Sequence, residues 1–480
     1  MDDSAKHLPL RKISGDLTSI GRTPFVSSKF SDCLRELILQ DKIGEPLVFR
    51  KIHEDWAPCK WTLGDWGDIF RDEKLSVRYG RQKWDKSNPQ WESLCGNLEI
   101  TWTKLIEWIR GEYNLPIPNS STQDIWMYYD YKYLPEVIHL KSESEKDFLK
   151  LIYLSENLKK KFCWSNLGFH DRNGDHSTLW IGTSGSYTNT HYDTYSCNLV
   201  CQVYGKKTWL VFPPCDTEHL QPTRVPYEES SVYSQINIAS SKQIQNNISA
   251  IKKCSPRRIT LEPGDCLYLP PKWWHFVKSE DFSISVNTWI ELPSDHFTRV
   301  EEAVLRAVVS SFVNSTVPST ADKVLNPNEM DLTEIGEKDT EDTLRVASKA
   351  FFDYEESISQ SSSEKSAKQL EPQGLQIKKP RLSLEEISLE KLMEYSSVSV
   401  EKLPPFKLEE EASGPSTEAT GEPSSSQLPS NVDCNHEAPP KGSPTPTYFE
   451  DVLNAVGHPD VLKQIAQRFL HNVKQRNSTD

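Results

Sequence analysis

His191-Tyr192-Asp193 places an imidazole and a carboxylate two residues apart in a stretch of extended texture. On a strand, residues i and i+2 face the same way, so the two groups can converge on one atom. A third donor must come from another element, and His275 in PPKWWHFV is the candidate. Two imidazoles and one carboxylate on one face of an ion leave the opposite positions open. That arrangement suits non-haem Fe(II), which needs free positions for a cosubstrate and O₂. Taken alone, His-x-Asp is an ordinary strand triplet, and a lone histidine is most often structural. Its neighbourhood sets this one apart: a Gly/Thr-rich turn before it, a strand–Gly–Lys–strand hairpin after it, and a tryptophan-flanked histidine following Pro263-Gly264-Asp265.

These residues need a scaffold of short strands, and the sequence supplies one after Leu179. LWIGT, THYDTYSCNLVCQVY, TWLVF, RRITLEP, CLYLP, WWHFV and FSISVNTWI are separated by Gly, Pro and Asn turn signals. Such spacing predicts a sandwich, barrel or jelly roll. In the last strand Phe282, Ile284 and Val286 alternate with Ser283, Ser285 and Asn287, so one face is apolar and the other polar. A polar inner face is what a barrel needs if it encloses a polar ligand. Upstream, FSDCLRELIL (30–39), LGDWGDIF and WTKLIEWI have helical spacing, PLVFR (46–50) is a strand candidate, and 142–161 reads as a charged amphipathic helix. Downstream, 296–312 carries an apolar stripe of Val300, Ala303, Val304, Ala307, Val308 and Phe312. The chain closes on a second stripe along 449–473.

Composition divides the chain unevenly. All 14 tryptophans lie between Trp56 and Trp289. Residues 1–299 hold 37 basic against 38 acidic side chains and residues 300–480 hold 18 against 31, so nearly all of the net −14 sits in the second part. The expected organisation is a loose leader (1–24), an N-terminal α/β lobe (25–124), a jelly-roll domain (125–290), a helix (291–315), a disordered acidic Ser/Pro-rich tail (316–441) and a C-terminal amphipathic helix (442–480). No apolar run approaches the ~18–20 residues a membrane span requires, and the N-terminus lacks a signal-peptide pattern. Ten scattered cysteines without a Cys-x-x-Cys pair do not resemble a disulfide framework, and Cys197 and Cys201 read as buried free thiols. A near-neutral globule with an acidic tail argues against nucleic acid. A reducing compartment, and so the cytoplasm, is the expectation, with nuclear access left open by Lys378-Lys379-Pro380-Arg381.

The ordered set Thr188, His191-Tyr192-Asp193, Asn198, Gln202, Gly205-Lys206-Lys207, Phe212-Pro213-Pro214, Pro263-Gly264-Asp265, Tyr268-Leu269-Pro270, Trp273-Trp274-His275 and Asn287 resembles the JmjC-type oxygenases of the cupin superfamily. The resemblance is strong over about 125–290 and looser back to Pro24. It implies an α+β fold: a double-stranded β-helix core, a helical N-terminal lobe and a largely disordered acidic tail. It further implies an Fe(II) centre held by His191, Asp193 and His275, with 2-oxoglutarate as cosubstrate. Lys207 would pair with the distal carboxylate of 2-oxoglutarate, with Lys206 as the competing choice. Thr188, Asn198 and Asn287 would hydrogen-bond the cosubstrate. Tyr128 would join them, though Tyr129 and Tyr131 compete, and Trp273 and Trp274 would pack around the iron. The implied reaction couples decarboxylation of 2-oxoglutarate to oxidation of a C–H bond, as protein hydroxylation or, as a weaker branch, demethylation. The whole layout resembles a branch of the family associated with small heat-shock proteins, which implies such a protein as partner and a role in the stress response. A non-catalytic adaptor that keeps the cupin domain is the alternative. The 296–312 stripe has two expected uses, dimerisation or cover for the globule itself.

Overall fold

The computed structural model describes residues 26–71, 73–137, 158–223, 231–313, 337–367, 392, 398–408, 452 and 455–477. The leader (1–24), most of the helix expected at 142–161 and most of the 316–441 tail lie outside the described residues.

Two antiparallel sheets form the centre. The larger is assembled from β1 (Leu47–Phe49), β2 (Lys74–Arg81), β3 (Gly96–Thr101), β4 (Ile125–Tyr133), β5 (Thr178–Gly182), β7 (Cys197–Tyr204), β11 (Cys266–Leu269), β13 (Ser283–Ile290) and β14 (Val400–Lys402). Its order is β14-β1-β11-β7-β13-β5-β4-β2-β3. The smaller has the order β10-β8-β12-β6-β9, from β6 (Tyr187–Asp193), β8 (Lys207–Phe212), β9 (Ser231–Tyr233), β10 (Arg257–Leu261) and β12 (Trp274–Ser279). From β5 to β8 and again from β10 to β13 consecutive strands alternate between the sheets, as the double-stranded β-helix expectation requires, while β9 adds an edge strand to the smaller sheet. The N-terminal lobe is no separate layer in its strands, because β1 to β3 extend the larger sheet.

The alternation in β13 decides which side of the large sheet is wet. Ile284 and Val286 enter the main apolar core, while Ser285 and Asn287 face the interior between the sheets. Against the core face pack α1 (Ser28–Leu39), α2 (Leu63–Phe70) and α3 (Trp102–Ile109). α1 begins where the Ser27 hydroxyl accepts from Phe30 N, and α2 where Thr62 and Asp65 cap each other reciprocally. The tryptophan-rich stretch supplies most of this packing. Trp56, Trp61, Trp66, Phe70, Trp102, Phe162 and Trp164 form a chain of edge-on and stacked contacts 4.9–6.4 Å between ring centres. Among the described residues the cysteines are free, with Cys197 and Cys201 buried, and no helix is long and apolar enough to cross a membrane.

After β13 comes α4 (Asp295–Val313). Its apolar stripe is covered by two helices of the same chain, α5 (Glu337–Ala367) and α6 (Pro459–Asn477). Val300, Ala303 and Val304 pack with Ala347, Ala466 and Leu470, all buried. The surface expected to serve a second copy or to cap the globule is thus occupied from within the tail. α5 lies within the 316–441 stretch. β14 was not anticipated; three residues among Ser and Glu carry too little periodicity to announce a strand.

Candidate metal centre

His191 and His275 are brought together by strand pairing. β6 and β12 are antiparallel neighbours, and His275 stands directly opposite His191, just before a bulge in the register. The ring centres lie 4.1 Å apart. His191 Nδ1 is 2.8 Å from Asn189 O, and His275 Nδ1 is 3.0 Å from Trp273 O. A carbonyl only accepts, so each Nδ1 carries the proton and each Nε2 offers its lone pair. Asp193 follows at i+2, and its Oδ2 accepts from the indole of Trp289 at 3.0 Å, leaving Oδ1 free. One donor atom from each of the three residues lies within 4.8 Å of the others.

Burial holds His191 far below the usual imidazole range, at about 3, and His275 beside it acts in the same direction. The Nε2–Oδ1 separation of 3.9 Å between His191 and Asp193 is therefore no ion pair, since the ring is neutral. Two imidazole nitrogens whose ring partners are anchored, plus one carboxylate oxygen, fit a divalent first-row metal with oxygen-rich remaining ligands.

The ligands line one end of a cavity between the sheets. At its other end Lys207 is 1 % exposed. Its ammonium donates to Ser285 Oγ at 2.8 Å and to Tyr128 Oη at 3.3 Å, and sits over the Tyr128 ring. Among the described residues no carboxylate pairs with it. Desolvation pushes Lys207 down to about 7, opposed by the charge of Asp130. A buried cation with two neutral partners is a receptor for an anion.

Lys206 points outward instead, to Glu262 Oε1 at 2.6 Å, so the pair is resolved by side-chain direction. Tyr128 lines the cavity together with Thr188. Tyr129 packs on Phe70 away from it. Tyr131, at φ 52° beside a register shift in β4, meets Trp180 edge-on and Trp289 at a tilt at the mouth. Asn287 Nδ2 donates to Asn198 Oδ1 at 2.9 Å, while its Oδ1 accepts from Trp180 Nε1 at 2.8 Å. Trp273 backs the centre by holding His275. Trp274 is buried in a neighbouring core where its indole donates to Thr217.

Ser285, Trp180, Trp209 and Trp289 also line the cavity and were not singled out as contacts. For Ser285 and Trp289 a signal existed, because they share the i±2 face of β13 with Asn287. Trp209 stacks on His275 from β8 at 5.7 Å, a cross-strand contact with no local signature. The cavity opens into a larger vestibule between Tyr131, Tyr133, Tyr195, Tyr233 and the charged residues around Arg78 and Arg299. Arg78 is itself buried against Asp130 and Glu92.

A Cupin-like domain model matches residues 112–296. Over 322 residues the chain is 35% identical to HSPB1-associated protein 1 of Homo sapiens, covering 66% of this chain and 62% of that protein. The Bos taurus protein of the same name is 36% identical over 294 residues, 61% of this chain and 57% of its own length. A Jumonji C domain-containing protein 5 of Drosophila melanogaster is 37% identical over 112 residues, 23% of this chain and 27% of that one. The chain thus spans about three fifths of the length of the HSPB1-associated relatives it matches.

Proposed function

The chain carries a cupin-like domain of the JmjC type and is a homologue of the HSPB1-associated proteins, and from that premise we propose that it is an Fe(II)- and 2-oxoglutarate-dependent oxygenase acting on a protein side chain. One observation carries the proposal: the same cavity has three metal-type donors at one end and, at the other, a buried ammonium with which no carboxylate among the described residues pairs. His191, Asp193 and His275 would hold the iron. When bound, Fe(II), 2-oxoglutarate and O₂ supply oxidative decarboxylation to succinate and CO₂ with transfer of oxygen to a C–H bond. Lys207 pairs with the distal carboxylate, and Tyr128 and Ser285 fix the direction of its ammonium. Thr188, Asn198 and Asn287 present hydrogen-bonding groups along the cavity. Trp209 and Val277 exclude water behind the ligands.

The vestibule is larger than the cavity and walled by aromatic side chains, which favours a polypeptide segment over a small metabolite. Hydroxylation is preferred to demethylation, since nothing in the chain resembles a chromatin reader. The relatives' name supports a small heat-shock protein as partner; a cytoplasmic role in stress belongs to the same proposal and rests on the sequence alone. Purified protein given Fe(II) and 2-oxoglutarate without oxygen, then exposed to air, should release succinate, and His191→Ala should abolish the release. Absence of both metal and 2-oxoglutarate binding at high protein concentration would refute the proposal.

A further inference from the structure

Residues 398–408 lie far along the acidic tail, yet they are built into the sandwich. β14 pairs with β1 in the register Leu47↔Lys402 and Phe49↔Val400, and Arg50 N donates to Ser399 O at 2.9 Å. Side chains hold that register. Arg50 Nε meets Glu401 at 2.9 Å while Nη1 of the same guanidinium meets Asp265 of the Pro-Gly-Asp turn at 2.8 Å. The chain then crosses to the other sheet, where Pro405 bridges Arg257 and Phe406 N donates to Pro256 O at 2.9 Å. One short segment therefore ties an edge of the large sheet to an edge of the small one.

Between those anchors Leu403, 3 % exposed, enters the apolar cluster behind the candidate metal centre, with Trp209, Leu267, Trp273 and Val277. The buried members of that cluster other than Leu403 come from residues 48–277. Two of them hold His275: Trp273 through its carbonyl on Nδ1, and Trp209 by stacking on the ring. The three donors lie on the small sheet, whereas Tyr128, Asn198, Ser285 and Asn287 come from the large one. The gap between the sheets thus sets how the donors and Lys207, all on the small sheet, face the polar groups of the large one.

We propose that the 398–408 strap is a positioning element for the third metal ligand, sealing the interlayer core behind His275 and so setting the affinity of the centre for metal. The proposal rests on the assignment of His191, Asp193 and His275 as a metal centre. Without Leu403 the cluster loses packing contacts, and without the strap both sheet edges lose their cover. Anything that pulls on the tail beside the strap then acts on the centre.

The test uses the full chain in two strap variants. Leu403→Asp expels the side chain from the core, and Glu401→Arg sets like charge against Arg50 without touching the core. Leu403→Met is the conservative control. Two quantities are measured: amide hydrogen exchange of the metal-free protein and Co(II) affinity by titration. The expected result is faster exchange at 272–277 together with 399–406, and Co(II) affinity weakened by about tenfold, the size seen when a group orienting a metal ligand is lost. Exchange at 96–101, at the far edge of the large sheet and outside that cluster, should stay unchanged, and Leu403→Met should behave as the parent. Release of 399–406 with parental exchange at 272–277 and parental Co(II) affinity would overturn the proposal, leaving a strap that only closes an edge. A parent chain that binds no Co(II) would refute the metal centre instead, and exchange at 272–277 would then decide positioning alone. Should Leu403→Asp not fold, Glu401→Arg carries the same two outcomes.

Discussion

At the scale of single residues, Lys207 is the most informative side chain because the fold works against its charge. Burial lowers its pKa from the ordinary lysine range to about 7. The groups facing it are the neutral hydroxyls of Tyr128 and Ser285, with Asp130 as the one favourable charge. A carboxylate binding there restores the proton, so 2-oxoglutarate affinity should fall as pH rises above about 7, by up to tenfold per unit. Calorimetry at pH 8 in buffers of different ionisation enthalpy should show uptake of close to one proton. The stability effect has the opposite sense. A lysine whose folded pKa is depressed costs the fold most below about 7, and the cost fades as pH rises toward its unfolded value. Lys207→Met should therefore melt a few degrees higher at pH 7, with a gain that shrinks by pH 10, while 2-oxoglutarate affinity drops by about 100-fold. Trp289 makes a separable contribution. Its indole N–H occupies Asp193 Oδ2, and Trp289→Phe keeps a ring for Tyr131 but loses that donor. Metal affinity should fall by about tenfold with little change in melting temperature.

At the scale of elements, the turn between β7 and β8 sets where Lys207 points. Gly205 has φ 62°, and a Cβ there would collide with the carbonyl of Phe282. Gly205→Ala should cost about 1–3 kcal/mol in a denaturant melt. It should also raise the 2-oxoglutarate requirement more than the metal requirement, because β8 is displaced and β6 is not. Much of this level was legible in the sequence. The two-faced pattern of β13 announced both the core and the wet interior, and the turn glycine announced the hairpin. The choice between Lys206 and Lys207 could not be read, because in a hairpin the facing of a side chain depends on register. Tyr128, Tyr129 and Tyr131 were indistinguishable for a related reason: the bulge in β4 breaks the period-2 rule where those residues sit. Trp209 and the strap were invisible because their contacts bridge elements distant in sequence.

For the whole molecule, the sharp compositional boundary near residue 300 is not a boundary in packing. The tail returns to the globule as β14 at a sheet edge and as α5 and α6 over α4. Average composition hid this, because a few apolar residues suffice in each case: Leu344, Phe351 and Phe352 on α5, and Leu462, Ile465, Phe469 and Leu470 on α6. The two contacts should be separable. Ending the chain at residue 454 removes α6 while leaving the strap, and uncovers part of the stripe formed by Val300, Ala303 and Val304. An apolar surface of that kind seeks a substitute partner. Sedimentation velocity should then show concentration-dependent self-association of the shortened chain at concentrations where the full chain sediments without it. Co(II) affinity should be retained, since nothing behind His275 has changed. Self-association that requires loss of the strap as well would place the sticky surface on the sheet edge instead of α4, and unchanged sedimentation would mean that α5 alone satisfies the stripe.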